Sequence, residues 1–138
     1  MKNTNRIGIG FIGGGFITRF HIKSLIGVRD CDVIGVMSKT RSSAEESCAI
    51  SQALGVGEAK PYNSVTDMVS DPAINALWIC APNFTRLEIM EEIVNAIESG
   101  KGELIGIACE KPLGRNVKEA KQMLALAKKV DLLDGYLE

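Results

Sequence analysis

Arg6-Ile7-Gly8-Ile9-Gly10-Phe11-Ile12-Gly13-Gly14-Gly15-Phe16-Ile17-Thr18-Arg19-Phe20-His21 is the stretch whose reading decides the fold. Ile7 to Ile12 is a short apolar run with β-branched residues, which predicts a buried strand. Gly13, Gly14 and Gly15 interrupt it. Phe16 to Ile26 is a run of helix length, and Gly27 is its stop signal. Strand, glycine turn and helix form the setting in which a G-x-G-x-x-G element binds a dinucleotide. Gly13 is expected to make the tight turn. Gly15 is expected to let the backbone approach a pyrophosphate, whose charge rests on the free N–H groups at the helix start. Thr18 stands where the third small residue is usual, so a slightly wider helix–strand approach is expected. The alternative is an ordinary flexible βα turn. Its place after the first strand and before a helix favours the nucleotide reading.

Working outward, 138 residues make one domain by the usual size prior. A hydrophobic content of 46% and a charged content of 24% suit a soluble globular chain. A net charge of -1 leaves no electrostatic footprint for nucleic acid or an anionic membrane. Lys2 and Arg6 precede an apolar run, as in a signal peptide, but the run is dense in glycine and no small-x-small cleavage site follows. No run is long and apolar enough to span a bilayer. Cys31, Cys48, Cys80 and Cys109 are scattered without a C-x-x-C pair, and no metal site is expected. They read as reduced thiols of a cytoplasmic protein, two of them in buried strands.

Beyond the first unit the chain alternates strand and helix. Cys31 to Met37 is the second apolar run. Ser42-Ser43-Ala44-Glu45 is a capping-box pattern that opens a helix ending near Leu54-Gly55. Glu58 to Tyr62 reads as a short strand ended by Pro61. Ser64-Val65-Thr66-Asp67 caps a short helix to Ser70, and Asp71-Pro72 breaks it. Ile74 to Ala81 is a strand, ended by Pro82-Asn83. Thr85-Arg86-Leu87-Glu88 caps a long helix, with Ile89, Ile93, Val94 and Ile97 at helical period, stopping at Ser99-Gly100. Leu104 to Cys109 is a strand, Asn116-Val117-Lys118-Glu119 caps the next helix, and Leu132 to Leu137 reads as a last strand. Continuous apolar strands between amphipathic helices predict a doubly wound parallel α/β sheet of the Rossmann type.

In such a sheet ligands lie outside the carboxyl ends of the strands, so the residues just past each strand carry the candidate chemistry. After the second strand come Ser38, Lys39, Thr40 and Arg41, with no acid before Glu45. A carboxylate there would hold ribose hydroxyls. Hydroxyls with two cations suit a 2′-phosphate instead, which predicts NADP in preference to NAD. A solvated loop is the plainer reading. After the fourth strand come Cys80, Ala81, Pro82, Asn83 and Arg86, in which Pro82 stiffens the turn and Asn83 and Arg86 offer polar side chains near a cofactor. A turn before an N-capped helix explains them equally well. After the fifth strand Glu110-Lys111-Pro112-Leu113 is expected to point two charged groups into one crevice. There Lys111 would bond a substrate hydroxyl or take part in proton transfer. The plainer reading is an exposed ion pair of little energetic weight.

Gly13-Gly14-Gly15-Phe16-Ile17 with His21, then Ala81-Pro82-Asn83, then Glu110-Lys111-Pro112-Leu113 together resemble the Gfo/Idh/MocA oxidoreductases (glucose-fructose oxidoreductase, inositol 2-dehydrogenase and their relatives). These motifs cover nearly the whole chain. The resemblance implies an NAD(P)-dependent enzyme that passes a hydride between nicotinamide and a hydroxyl carbon of a sugar, polyol or related compound. It implies that Lys111 touches both cofactor and substrate, that Glu110 helps hold the nicotinamide end, and that Pro112 shapes the turn, often in the family through a cis peptide. Arg86 departs from the family, which commonly has His there. His21 matches the family's helix histidine and reads as a structural contact. The family continues into a second domain with substrate contacts, a histidine acid/base and the oligomer interface. Residues 1–138 are therefore expected to be the dinucleotide-binding domain of a longer, homo-oligomeric enzyme, inactive by itself. Leu137-Glu138 could be a cloning remnant. The competing reading is a stand-alone NAD(P)-binding or redox-sensing module without turnover. The Glu110-Lys111-Pro112 triplet favours the enzyme, since a binding module has no need of a lysine aimed at the reacting carbon.

Overall fold

The computed structural model describes residues 5–137. Lys2 and Glu138, which entered the readings of the two ends, lie outside the described residues. The elements run in the order β1 (Ile7–Ile12), α1 (Phe16–Ser24), β2 (Cys31–Met37), α2 (Arg41–Leu54), β3 (Lys60–Tyr62), α3 (Val65–Ser70), β4 (Ala76–Ile79), α4 (Arg86–Glu98), β5 (Gly106–Glu110), α5 (Val117–Lys129) and β6 (Leu133–Leu137). Two single 3-10 turns, Leu25–Gly27 and Asn83–Thr85, follow α1 and precede α4. The strands form one sheet in the order β3-β2-β1-β4-β5-β6, and every pairing is parallel. This is the doubly wound order, with its switch point between β1 and β4.

Alternation along β1 splits the core in two. Ile9 and Phe11 join Val33 and Val36 of β2 and Ile22, Ala44 and Cys48 of α1 and α2. Ile12, of opposite parity, joins Leu77 and Ile79 of β4 with Met68, Met90, Ile93 and Met123 of α3, α4 and α5. Helices thus cover the two faces of the sheet, α1 and α2 on one and α3 to α5 on the other.

Local signals are met unevenly. Ser64 and Asn116 cap α3 and α5, accepting from the N–H groups of Asp67 and Glu119. Gly55 closes α2 in the left-handed conformation at φ 68°. Two expected caps are corrected. α2 begins one residue before Ser42, Thr40 is its N-cap without a side-chain bond, and Glu45 pairs with Arg41 at 3.2 Å instead of reaching back. The Thr85 hydroxyl donates backward to Pro82 O at 2.7 Å, so α4 also lacks the predicted cap. Pro61 does not end β3 but lies inside it, opposite Val36. β3 is an edge strand, where a residue without an N–H costs no ladder bond.

Candidate dinucleotide site

The carboxyl ends of β1, β2 and β4 open onto a cleft of about 630 Å³. Its floor is the glycine turn. Gly13 has φ 106°, and a Cβ on it would lie 2.7 Å from Ala81 N, so glycine is required twice over. A Cβ on Gly14 would crowd Ser38 and Ser43 at 3.0 Å. Gly15 differs: its φ is −83°, and a Cβ there would meet no protein atom within 4 Å. Neither backbone conformation nor a neighbouring residue requires glycine at this cleft-lining position. A ligand backbone passing close to the turn would require it. The first intrahelical bond of α1 runs from Arg19 N–H to Gly15 O, leaving the amides of Phe16 and Ile17 unused by the helix, and no acid stands in the first turn. Such a terminus favours an anion. The cleft therefore fits the pyrophosphate of a dinucleotide.

The turn is braced from both sides. Thr18 is fully buried and its hydroxyl donates to Gly13 O at 2.6 Å, so the departure from a third small residue adds a bond instead of only widening the approach. Ser47, fully buried on α2, donates to Gly14 O at 3.1 Å. The sequence carried no signal for Ser47.

The remaining candidates divide. Phe16, Ile17, Ser38, Lys39, Cys80, Ala81, Pro82 and Arg86 line the cleft. Thr40, Arg41 and Asn83 do not line it. Arg41 is turned toward Asn63 and Glu45, at 2.7 and 3.2 Å. Two carboxylates missed in the sequence, Glu88 and Glu92, line the cleft from α4. One turn apart on the same helix, they share a face that the strand-end reading did not consider. Burial raises the Cys80 thiol to about 12 and the Cys109 thiol to about 11, so neither is a thiolate at neutral pH. All four cysteines are free. Cys109 is buried in β5, whereas the other fully buried thiol, Cys48, lies in α2.

Glu110, Lys111 and Pro112 form the end of β5 and its turn, beyond the cleft lining. The expectation that Glu110 and Lys111 share a crevice is corrected. Ala108 opposes Trp78, and Glu110, two residues on, keeps the same face. There its Oε1 accepts a bond of 2.6 Å from His21 Nε2, whose ring lies 4.6 Å from that of Trp78. Its Oε2 accepts the Lys111 N–H at 3.1 Å. Glu110 is buried and Lys111 exposed. The Lys111 ammonium has no hydrogen-bond or ion-pair partner among the described residues. The Lys111–Pro112 peptide is cis. Arg86, only 4% exposed, donates from Nε to Ala81 O at 2.8 Å and from Nη1 to the carbonyls of Glu110 and Pro112.

A parallel sheet in this order, with a glycine turn and an anion-ready helix at its switch point, defines a Rossmann-type dinucleotide-binding domain. Residues 7–133 match the Gfo/Idh/MocA model, described as an oxidoreductase family with an NAD-binding Rossmann fold, and the chain belongs to that family. It is 30% identical over 126 residues to the 1,5-anhydro-D-fructose reductase of Ensifer adhaerens, covering 91% of this chain and 34% of the relative. It is 27% identical to the myo-inositol 2-dehydrogenase of Thermotoga maritima, again over 91% of this chain and 34% of the relative. The chain thus spans about a third of the length of these curated relatives. The structure of GenD2 from gentamicin A biosynthesis, in complex with NAD, superposes with a TM-score of 0.77 at 19% identity, covering 99% of this chain and 35% of that one. Among the described residues no helix is long and apolar enough to cross a membrane.

Proposed function

We propose that this chain is the cofactor-binding part of an enzyme that oxidises a hydroxyl carbon of a sugar, polyol or related compound, or reduces the corresponding carbonyl, with NADP preferred over NAD. The observation that carries the reading is Gly15, a glycine facing open cleft at a helix start that nothing in the chain itself requires. The cofactor would supply or accept the hydride. Gly13 to Ile17 would hold the pyrophosphate, and Cys80 to Asn83, with Arg86, would wall the nicotinamide side. Ser38 and Lys39 would meet a 2′-phosphate directly, and Thr40 and Arg41 would add hydroxyl and positive charge from the start of α2. Lys111 is the proposed catalytic residue. Its free ammonium would hold the reacting oxygen and stabilise the negative charge that builds on it as its proton passes to or from the acid/base, while Glu110 and Pro112 set its backbone. The names of the two relatives, a reductase of an anhydro-sugar and an inositol dehydrogenase, support this substrate class. The substrate-binding domain and the general acid/base are expected in a further part of the protein.

Calorimetric titration with NADP and with NAD tests the reading. Tighter binding of NADP, weakening as salt rises, is the expected result. Equal or NAD-favoured binding would retain the dinucleotide site and remove Ser38 to Arg41 from it. Failure of the complete protein to bind either would overturn the proposal.

A further inference from the structure

We propose that Arg86 is the positioning residue for Lys111: its guanidinium binds both main-chain carbonyls that flank Lys111 and fixes the direction in which that side chain leaves the β5 turn. The inference rests on the role proposed above for Lys111. One nitrogen, Nη1, donates to the carbonyl oxygen of Glu110 at 2.5 Å and to that of Pro112, the residue on the other side of Lys111. The Lys111 N–H is held separately, by the Glu110 carboxylate at 3.1 Å. Residue 111 is thus held at its amide and through the carbonyls of the residues before and after it, while its side chain is exposed and unpartnered among the described residues. A rigid main chain carrying a free cation is the arrangement needed to present that cation to a bound ligand.

The same guanidinium reaches the other wall. Nε donates to Ala81 O at 2.8 Å, and Ala81 lines the cleft against Gly13. Arg86 therefore ties the β4 turn, which would border a bound dinucleotide, to the β5 turn, which carries Lys111. Arginine suits this task because its fork aims several donors at once and stays charged when buried. No carboxylate is paired with Arg86 among the described residues, so its donors are spent on main-chain oxygens, which charge assistance strengthens. A lysine offers donors from a single point, and a histidine offers at most two from a short rigid ring. If Arg86 served only to stabilise the two turns, its replacement would lower stability without changing where Lys111 points.

The test is reductive methylation of Lys111 in the full protein, followed by mass spectrometry. It is run with and without NADP or NAD at a concentration that calorimetry shows to be saturating. In the wild type the dinucleotide is expected to slow methylation of Lys111 by about fivefold or more, as a group held at the site would require. No slowing in the wild type would remove Lys111 from the cofactor site and this inference with it. In Arg86→Lys, which keeps the charge, protection is expected to fall below about twofold at a dinucleotide concentration that calorimetry shows to saturate that variant. Full protection in that variant would overturn the role of Arg86 alone and leave the reading of Lys111 standing. Arg86→His is the second variant, read in the same way if Arg86→Lys does not fold. Failure of both to fold would assign Arg86 to the fold only and overturn the proposal.

Discussion

Gly13 and Gly15 stand two positions apart and are glycine for different reasons. Gly13 holds φ 106° against the Ala81 amide, so Gly13→Ala must strain the backbone and push away the turn that follows β4. A loss of about 1–3 kcal/mol in folding stability is expected, measured by urea denaturation. Gly15→Ala has room and an ordinary φ. Its stability should change by less than about 0.5 kcal/mol, while dinucleotide affinity, measured by calorimetry, falls by about tenfold or more. Affinity that survives Gly15→Ala would take the pyrophosphate away from this turn. Tyr62 and Asp71 give a second residue-scale test. The Tyr62 hydroxyl donates to the Asp71 carboxylate at 2.6 Å, and this bond is the main reason the Asp71 carboxyl is held below its ordinary value. Burial first, then Asp71, raises the Tyr62 phenol. A depressed carboxyl stabilises the fold above its unfolded value, near 4, and loses that contribution as pH falls through its folded value. A raised phenol contributes below about pH 10 and loses its contribution above its folded value. Tyr62→Phe should therefore cost roughly 1–2 kcal/mol at pH 7 and less near pH 2.5, in parallel urea titrations.

The helix starts separate local signal from tertiary context. Four segments carry a capping pattern, and the side-chain cap forms at Ser64 and Asn116 but not at Ser42 or Thr85. Ser64→Ala and Asn116→Ala should each lower stability by about 1 kcal/mol, and Ser42→Ala should change it by less than about 0.5 kcal/mol. Comparable losses at all three sites in chemical denaturation would contradict the observed start of α2. The pattern misleads at Ser42 because Arg41 pairs with Glu45 and Asn63, which carries the helix one residue further back. It misleads at Thr85 because Pro82 and the 3-10 turn that follows offer the hydroxyl a nearer acceptor. Strands were legible where consecutive residues are apolar, as in Ile7 to Ile12 and Cys31 to Met37, because burial on both faces leaves a continuous run. Their ends were less so: Ile74 and Asn75 are buried ahead of β4 and outside its bounds, although Asn75 N–H donates to Gly8 O of β1 and Asn75 O accepts from Ile105 N–H.

Across the whole molecule, the sheet order brings the ends of β1, β4 and β5 side by side, although they are far apart in sequence. The glycine turn was legible because its three residues are contiguous and their chemistry depends on the backbone. The setting of Glu110 was not, since it depends on strand parity and on His21, 89 positions away. Arg86 was hidden for the same reason: a cation near a turn does not reveal that it faces carbonyls of another strand. This distribution has a consequence for function. The proposed binding groups belong to the turns after β1, β2 and β4, and the proposed catalytic group belongs to the β5 turn, held by bonds that do not pass through its own side chain. Truncating that side chain should therefore leave the cleft intact. In the full protein, Lys111→Ala is expected to lower kcat by about 100-fold or more, the usual weight of a donor placed on a charged reacting oxygen, while the NADP dissociation constant changes by less than about threefold. Steady-state kinetics with a sugar or polyol substrate, paired with calorimetry, measures both. An equal loss in the two would make Lys111 a cofactor-holding residue and move the chemistry to another side chain. A loss of binding alone would mean that the ammonium, exposed and unpartnered among the described residues, meets the dinucleotide and not the substrate.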